Sequence, residues 1–216
     1  MAQDTDVPLT IALAEYEHLR ELSRAVHDQS AARFTFFLAV ASAATAVSAG
    51  LITTGSPDGW VRSAVLAGLG VLVLLLGISV FARQVELNDR GRRYAVAATV
   101  LRTYLARRAP DLTAYVMMPT LDDHGPFAPE PFRRHWFRDL VSQAGMIALL
   151  NSVLLGLAAA LAVLAAGPPW LAITVAALVV PGSVAAHLRV IRRRIARSAD
   201  RVGTVLADRR LASTTR

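Results

Sequence analysis

The chain has 216 residues, 54% of them hydrophobic and 18% charged, with a net charge of +7 and a mean hydropathy of +0.44. The apolar residues cluster in long uncharged runs, which excludes an ordinary water-soluble domain. Cysteine is absent, which excludes disulfides, thiol catalysis and cysteine metal sites.

Residues 1–31 lack the basic start and short apolar core of a cleavable signal peptide, and carry Asp4, Asp6, Glu15, Glu17, Glu21 and Asp28. Within them Leu9, Leu13, Tyr16, Leu19, Leu22 and Val26 recur at three- and four-residue spacing, which predicts an amphipathic helix over 7–32. Pro8 suits its start. Segment 1–33 is thus expected to be cytoplasmic, followed by a transmembrane hairpin over 34–82. The first span, Phe34 to Ile52, carries two rows of small residues, Ser42, Ala46, Gly50 and Ala41, Thr45, Ala49, of the kind that lets helices approach closely in lipid. Thr53 to Gly59 reads as a turn. The second span, Trp60 to Phe81, opens on an interfacial tryptophan.

No proline lies between Val61 and Ala109. The second span therefore continues into a basic helix, 83–110, as one helix of about 50 residues, roughly 75 Å at ~1.5 Å per residue. That is about twice a bilayer core, so half of it must stand outside. Leu87, Tyr94 and Leu101 repeat every seven residues, with Gly91, Ala98 and Leu105 four after each, a short coiled-coil pattern. Pro110, Pro119, Pro126, Pro129 and Pro131 exclude a long helix in the loop 111–139. This loop ends in an interfacial segment carrying Arg133, Arg134, Trp136 and Arg138.

The second predicted hairpin covers 140–188. Its first span, Leu140 to Ala166, has a ridge of small residues, Ala144, Ala148, Ser152, Gly156 and Ala160. After the turn at Gly167-Pro168-Pro169, its second span runs from the interfacial Trp170 to Leu188, with a kink expected at Pro181-Gly182. A basic helix and tail, 189–216, completes the chain. The fold class is therefore an all-α integral membrane protein. Four transmembrane helices form two hairpins, and long cytoplasmic helical extensions form a bundle. The two halves share a plan, open to reading as a duplication or as shared membrane constraint.

Arginine supplies all 23 basic residues: ten lie between Arg83 and Arg138, nine between Arg189 and Arg216. The positive-inside rule then places both termini and the central loop in the cytoplasm, with the protein multi-pass in the cytoplasmic (inner) membrane. Residues 1–31 carry a net −4 against +3 for 83–139 and +7 for 187–216. The acidic N-terminal helix is expected to lie against the basic ones.

Asn151 falls near the middle of its span, where an amide is costly, with Gln143 two turns earlier. The pair reads either as a polar position in a water path or as an interhelical hydrogen bond fixing the packing. Arg192, Arg193, Arg194, Arg197 and Arg201 make a dense positive patch. It suits anionic lipid headgroups or a cytoplasmic nucleotide, and equally a topology signal on a solvated face. Asp122-Asp123-His124 has metal-ligand residue types but reads as a loop tip, since adjacent residues converge poorly on one ion. No Walker loop, GxSxG, HExxH or carboxylate pair within a span is present, so neither an enzyme nor a cofactor is implied.

Tyr16-Glu17-His18-Leu19-Arg20, leading through Arg33-Phe34 into a span, and Leu87 to Arg108 after the second span, resemble the small multi-pass membrane effectors of bacterial nucleotide-signalled conflict systems, the SLATT-like proteins. The resemblance covers about residues 10–108 and is one of plan. It implies a ligand-gated oligomeric pore and assigns no residue. The expected function is a non-enzymatic, self-associating membrane protein, a gated pore or membrane effector. The alternative is an adaptor or regulatory subunit holding a partner protein through its cytoplasmic helices. A small-molecule exporter is disfavoured by the lack of ionisable groups at depth. Expected partners are the bilayer, anionic headgroups, further copies of the chain, and a cytoplasmic nucleotide or protein.

Overall fold

The computed structural model describes residues 6–53, 59–115, 117–123, 136–165 and 167–214, with 112–114, 136, 138 and 208–214 described by their backbone alone. Among the described residues the protein is helical throughout, without a strand. Helix α1 is Val7–Thr53, α2 Gly59–Arg108, α3 Trp136–Val141, α4 Gln143–Leu164 and α5 Pro169–Thr214, with a 3₁₀ turn at Pro110–Tyr115. Four of them, α1, α2, α4 and α5, are long and apolar enough to cross a membrane.

The long helices follow from the absence of breakers. α2 runs 50 residues without proline, and α1 runs 47 residues, joining the amphipathic stretch to the apolar one. Asp6 starts α1: its carboxylate accepts the Leu9 N–H at 3.3 Å, satisfying one of the donors that a helix start leaves open. α5 passes through Pro181 as one helix. The proline removes one backbone donor there.

The span expected from Leu140 is corrected by the structure. Leu140 and Val141 end the short α3, and the span-length helix begins at Gln143. Ser142 makes the break, with φ −62° and ψ 157°. Its hydroxyl donates to the Asp139 carbonyl at 2.7 Å and accepts the Gly145 N–H at 3.2 Å. Gly145 packs against the Asp139 and Leu140 carbonyls so closely that a Cβ has no room. α4 keeps 22 residues, about 33 Å at ~1.5 Å per residue, still enough to cross a bilayer core.

The chain forms two compact units. The first gathers Met1–Gln29, Leu87–Arg133 and Ile195–Arg216. In it Asp6 ion-pairs with Arg108, Tyr16 accepts from Arg102 at 3.5 Å, and Gly91 faces Val26. The heptad face of α2 thus meets α1 of the same chain. Leu19, Leu87 and Ile195 are buried in this unit, as is Asp89, whose Oδ2 lies 3.4 Å from Arg93 and 3.9 Å from Arg201. Residues 117–123 are tied to the end of α2. Arg102 donates to the Pro119 carbonyl at 2.9 Å and the Leu121 N–H donates to Thr103 at 2.9 Å.

The second unit is Ser30–Glu86 with Arg134–Arg194. Phe37, Val73, Gly77, Val80 and Phe81 face inward, with Ala144, Ile147 and Ala148 of α4. The small ridge of α4 is spent inside the chain: Ala144, Ala148, Ser152 and Gly156 are buried. Ser152 donates to Ser183 of α5 at 3.0 Å, and Gly156 lies against Val180 and the Ala176 carbonyl. The small rows of α1 differ, since Ser42, Ala46 and Gly50 are exposed.

Removing the Ser142 hydroxyl (Ser142→Ala) is expected to cost about 1 kcal/mol, and Gly145→Ala about 1–3 kcal/mol, because the new methyl meets backbone that cannot yield. Thermal melts of the purified protein in detergent, followed by circular dichroism, check both. An unchanged midpoint for Gly145→Ala would contradict the close approach.

Candidate functional site

The polar residues of the second unit sit on its inward faces. Gln84 of α2 is fully buried. Its Nε2 donates to Ser30 of α1 and, at 2.7 Å, to Oε1 of Gln143 on α4. The Ser30 hydroxyl also donates to that Oε1. Three helices are therefore joined through one amide. One turn before Gln84, Phe81 meets the ring of His187 on α5 edge-on, with centroids 4.7 Å apart and planes at 83°. His187 Nδ1 lies 2.8 Å from the Ser183 carbonyl.

Asn151 lies eight residues beyond Gln143, 1% exposed. Its side chain fills the space over Gly77 of α2, where a Cβ would collide with the amide oxygen. Neither amide atom of Asn151 has a hydrogen-bond partner among the described residues, and neither does Oε1 of Gln84. Gln143 and Asn151, the two amides singled out along this helix, have different surroundings. Gln143 makes the interhelical hydrogen bond, whereas Asn151 is held by shape against a glycine. Each such orphan costs about 1–3 kcal/mol in desolvation, so this level of the unit presents strong unpaired donor and acceptor groups in apolar surroundings.

The five arginines of the basic patch divide between the units. Arg192, Arg193 and Arg194 belong to the second, Arg197 and Arg201 to the first. Arg192 lies 3.9 Å from the buried carboxylate of Asp139. Arg201 lies 3.9 Å from that of Asp89 and donates through Nε to the Arg197 carbonyl. Two of the five thus face buried carboxylates, because a charge taken out of water requires a countercharge.

Trp60 and Trp170 are 76% and 66% exposed, as interfacial anchors would be. Arg133 and Arg134 lie outside the described residues, and the backbone alone is described for Trp136 and Arg138, where α3 begins. The turn residues 54–58 and the loop 124–135, with His124, also lie outside them. Asp122 and Asp123 are engaged. Asp122 takes a two-pronged bond from Arg107, from Nε at 2.8 Å and Nη2 at 2.5 Å. Asp123 accepts the Thr120 N–H at 2.6 Å. The hydrogen bond that Arg107 donates to Asp122, then the Asp122 charge, raises the pKa of the Arg107 guanidinium above its ordinary value. Among the described residues no group of three histidines or carboxylates is placed to hold a metal ion.

Sequence reasoning missed Gln84, Ser30 and Gly77. Gln84 is the first uncharged polar side chain after the apolar run of α2, a signal masked by the charged Arg83 and Glu86 beside it. Ser30 and Gly77 carry no signal, since small residues are common along the whole chain.

Compared with protein-family models, with curated proteins and with solved structures, the chain matches none.

Gly77→Ala is expected to destabilise the second unit by about 1–3 kcal/mol through overpacking. The Gly77→Ala/Asn151→Ala double variant should recover part of that, giving a coupling of at least about 0.5 kcal/mol in a double-mutant cycle read from detergent melts. Strictly additive effects would mean that the two residues do not touch.

Proposed function

We propose that the protein is a non-enzymatic, self-associating membrane protein acting as a gated pore or membrane effector. In this reading α1 with α2 and α4 with α5 are two transmembrane hairpins in the cytoplasmic membrane. The first unit stands in the cytoplasm with both termini. For about residues 10–108, one hairpin with its flanking helices, this plan is the one that the resemblance to SLATT-like effectors implies; the second hairpin is an addition to it. The pairs Ser152 with Ser183 and Gly156 with Val180 support the second hairpin.

The observation that carries the reading is Asn151. A packing amide in lipid would be bonded, as Gln143 is. Asn151 instead keeps both amide atoms buried and unbonded at mid-span, where water is absent and such groups are costly. That is the arrangement of a polar step awaiting a second conformation or a permeating species. The exposed row Ser42, Ala46 and Gly50 on α1 supplies a face for association between copies. Helices α1, α2 and α5 each supply residues to both units. Arg193 and Arg197 are exposed, and in this reading they would meet anionic headgroups.

The second reading is an adaptor that holds a partner protein. It is favoured by Tyr115, Met117 and Met118, three large apolar side chains exposed close together in sequence in the first unit, of the kind that a partner protein covers.

The mass of the detergent-solubilised protein, by light scattering corrected for bound detergent, separates the two. A defined oligomer is expected, because four spans of mostly Ala, Leu and Val cannot line a water path alone; a monomer would remove the pore reading and leave the adaptor. In liposomes, Asn151→Leu is expected to change ion flux while the oligomer mass is unchanged. Loss of assembly in that variant would assign Asn151 to packing instead.

A further inference from the structure

In the first unit a cleft of about 360 Å³ lies between α1, the end of α2 and the segment after the 3₁₀ turn. Tyr16, Arg102, Leu105, Ala109, Met117 and Met118 line it. Its volume is at the low end of the range for small-molecule sites, which are mostly apolar with a few convergent polar groups, as here. The polar groups are the Arg102 guanidinium and the Tyr16 hydroxyl.

Arg102 differs from its neighbours. Arg107 is neutralised by Asp122 and Arg108 by Asp6. Arg102 is half-buried. It donates from Nη1 to the Pro119 carbonyl at 2.9 Å and from Nη2 to the Tyr16 hydroxyl at 3.5 Å. Both partners are neutral, and among the described residues no carboxylate pairs with it. A guanidinium fixed by neutral acceptors at the edge of an apolar cleft keeps its charge for an anion, and the planar fork matches a carboxylate. One guanidinium and one hydroxyl supply a single positive charge, which suits a monoanion. The walls add two thioethers and a phenol ring, surfaces that favour an aromatic body.

We infer that this cleft binds a small carboxylate with an aromatic or short aliphatic body, its carboxylate on Arg102 and its body against Tyr16 and Leu105, with the exposed Met117 and Met118 at the rim. The site deepens the proposed function by supplying a ligand class for gating. The gating consequence rests on that proposal, whereas binding itself does not.

The test is isothermal titration of the full-length protein in detergent with 4-phenylbutyrate and with its amide, which has nearly the same shape and no charge. Saturable one-to-one binding of the acid is expected, with the amide at least ~10-fold weaker, equivalent to about 1.4 kcal/mol. Arg102→Gln should weaken the acid at least ~10-fold and leave the amide unchanged. Because Arg102 also holds the Pro119 carbonyl, Ala109→Leu is the second variant: it fills the cleft, keeps Arg102, and should abolish binding of both probes while the melting curve persists. Equal affinity for acid and amide, undiminished binding by Ala109→Leu, or no saturable heat would each overturn the site. Oligomer mass and liposome flux on the same preparation separate the two proposals. Binding that leaves flux unchanged keeps the site and removes gating. Flux without binding removes the site and keeps the pore.

Discussion

Gln84 is the residue on which the packing of the second unit turns. Helices in lipid gain nothing from burying apolar surface against one another, since the tails are as apolar as leucine. Register must come from hydrogen bonds and from close fits. Gln84 provides the first kind: one buried Nε2 is shared by Ser30 and Gln143, on two other helices. In low dielectric such bonds are strong and their loss leaves several groups unpaired together, so the three helices are fixed in rotation as well as in height.

The second kind of constraint is the close fit at glycine. Gly77 admits Asn151, Gly156 admits Val180, and Gly145 admits the carbonyls that end α3. A methyl group at Gly77 or Gly156 would meet the side chain of Asn151 or Val180, and one at Gly145 would meet backbone. Together with the buried ridge Ala144, Ala148, Ser152 and Gly156, they leave α4 the most enclosed of the apolar helices. The apolar stretches of α1 and α5 stay largely uncovered by the chain itself. A membrane protein that self-associates would keep its adaptable surface there.

Charge in this chain has two settings that look alike in the sequence. Most of the described arginines sit on exposed or half-exposed helix faces. Arg192 and Arg201 face the buried carboxylates of Asp139 and Asp89, and Asp89 also has Arg93 beside it at 3.4 Å; a charge out of water is held by such countercharges. The first unit shows the same sorting: Arg107 and Arg108 are paired, and Arg102 between neutral acceptors is not. Among the described residues Arg102 is thus held in this unit by neutral acceptors, a distinction that no count of basic residues identifies.

The long helices were legible because their signals are local. Absence of proline from Val61 to Ala109 implies α2, and three- and four-residue spacing over 7–32 implies the start of α1. Four apolar runs imply four helices able to cross a membrane. The break at Ser142 was not legible, because Leu140 and Val141 continue the apolar run and the cap depends on the fit of Gly145 against carbonyls. Of the candidate site, Asn151 and Gln143 stood out as amides in apolar surroundings, but not their separate fates. Hydropathy, helical period and arginine distribution, which belong to one stretch of chain at a time, were determined by the sequence alone. Which amide is bonded, which arginine is neutralised and which small-residue ridge is buried were decided only by the tertiary structure, because each depends on what a second helix, far away along the chain, places opposite.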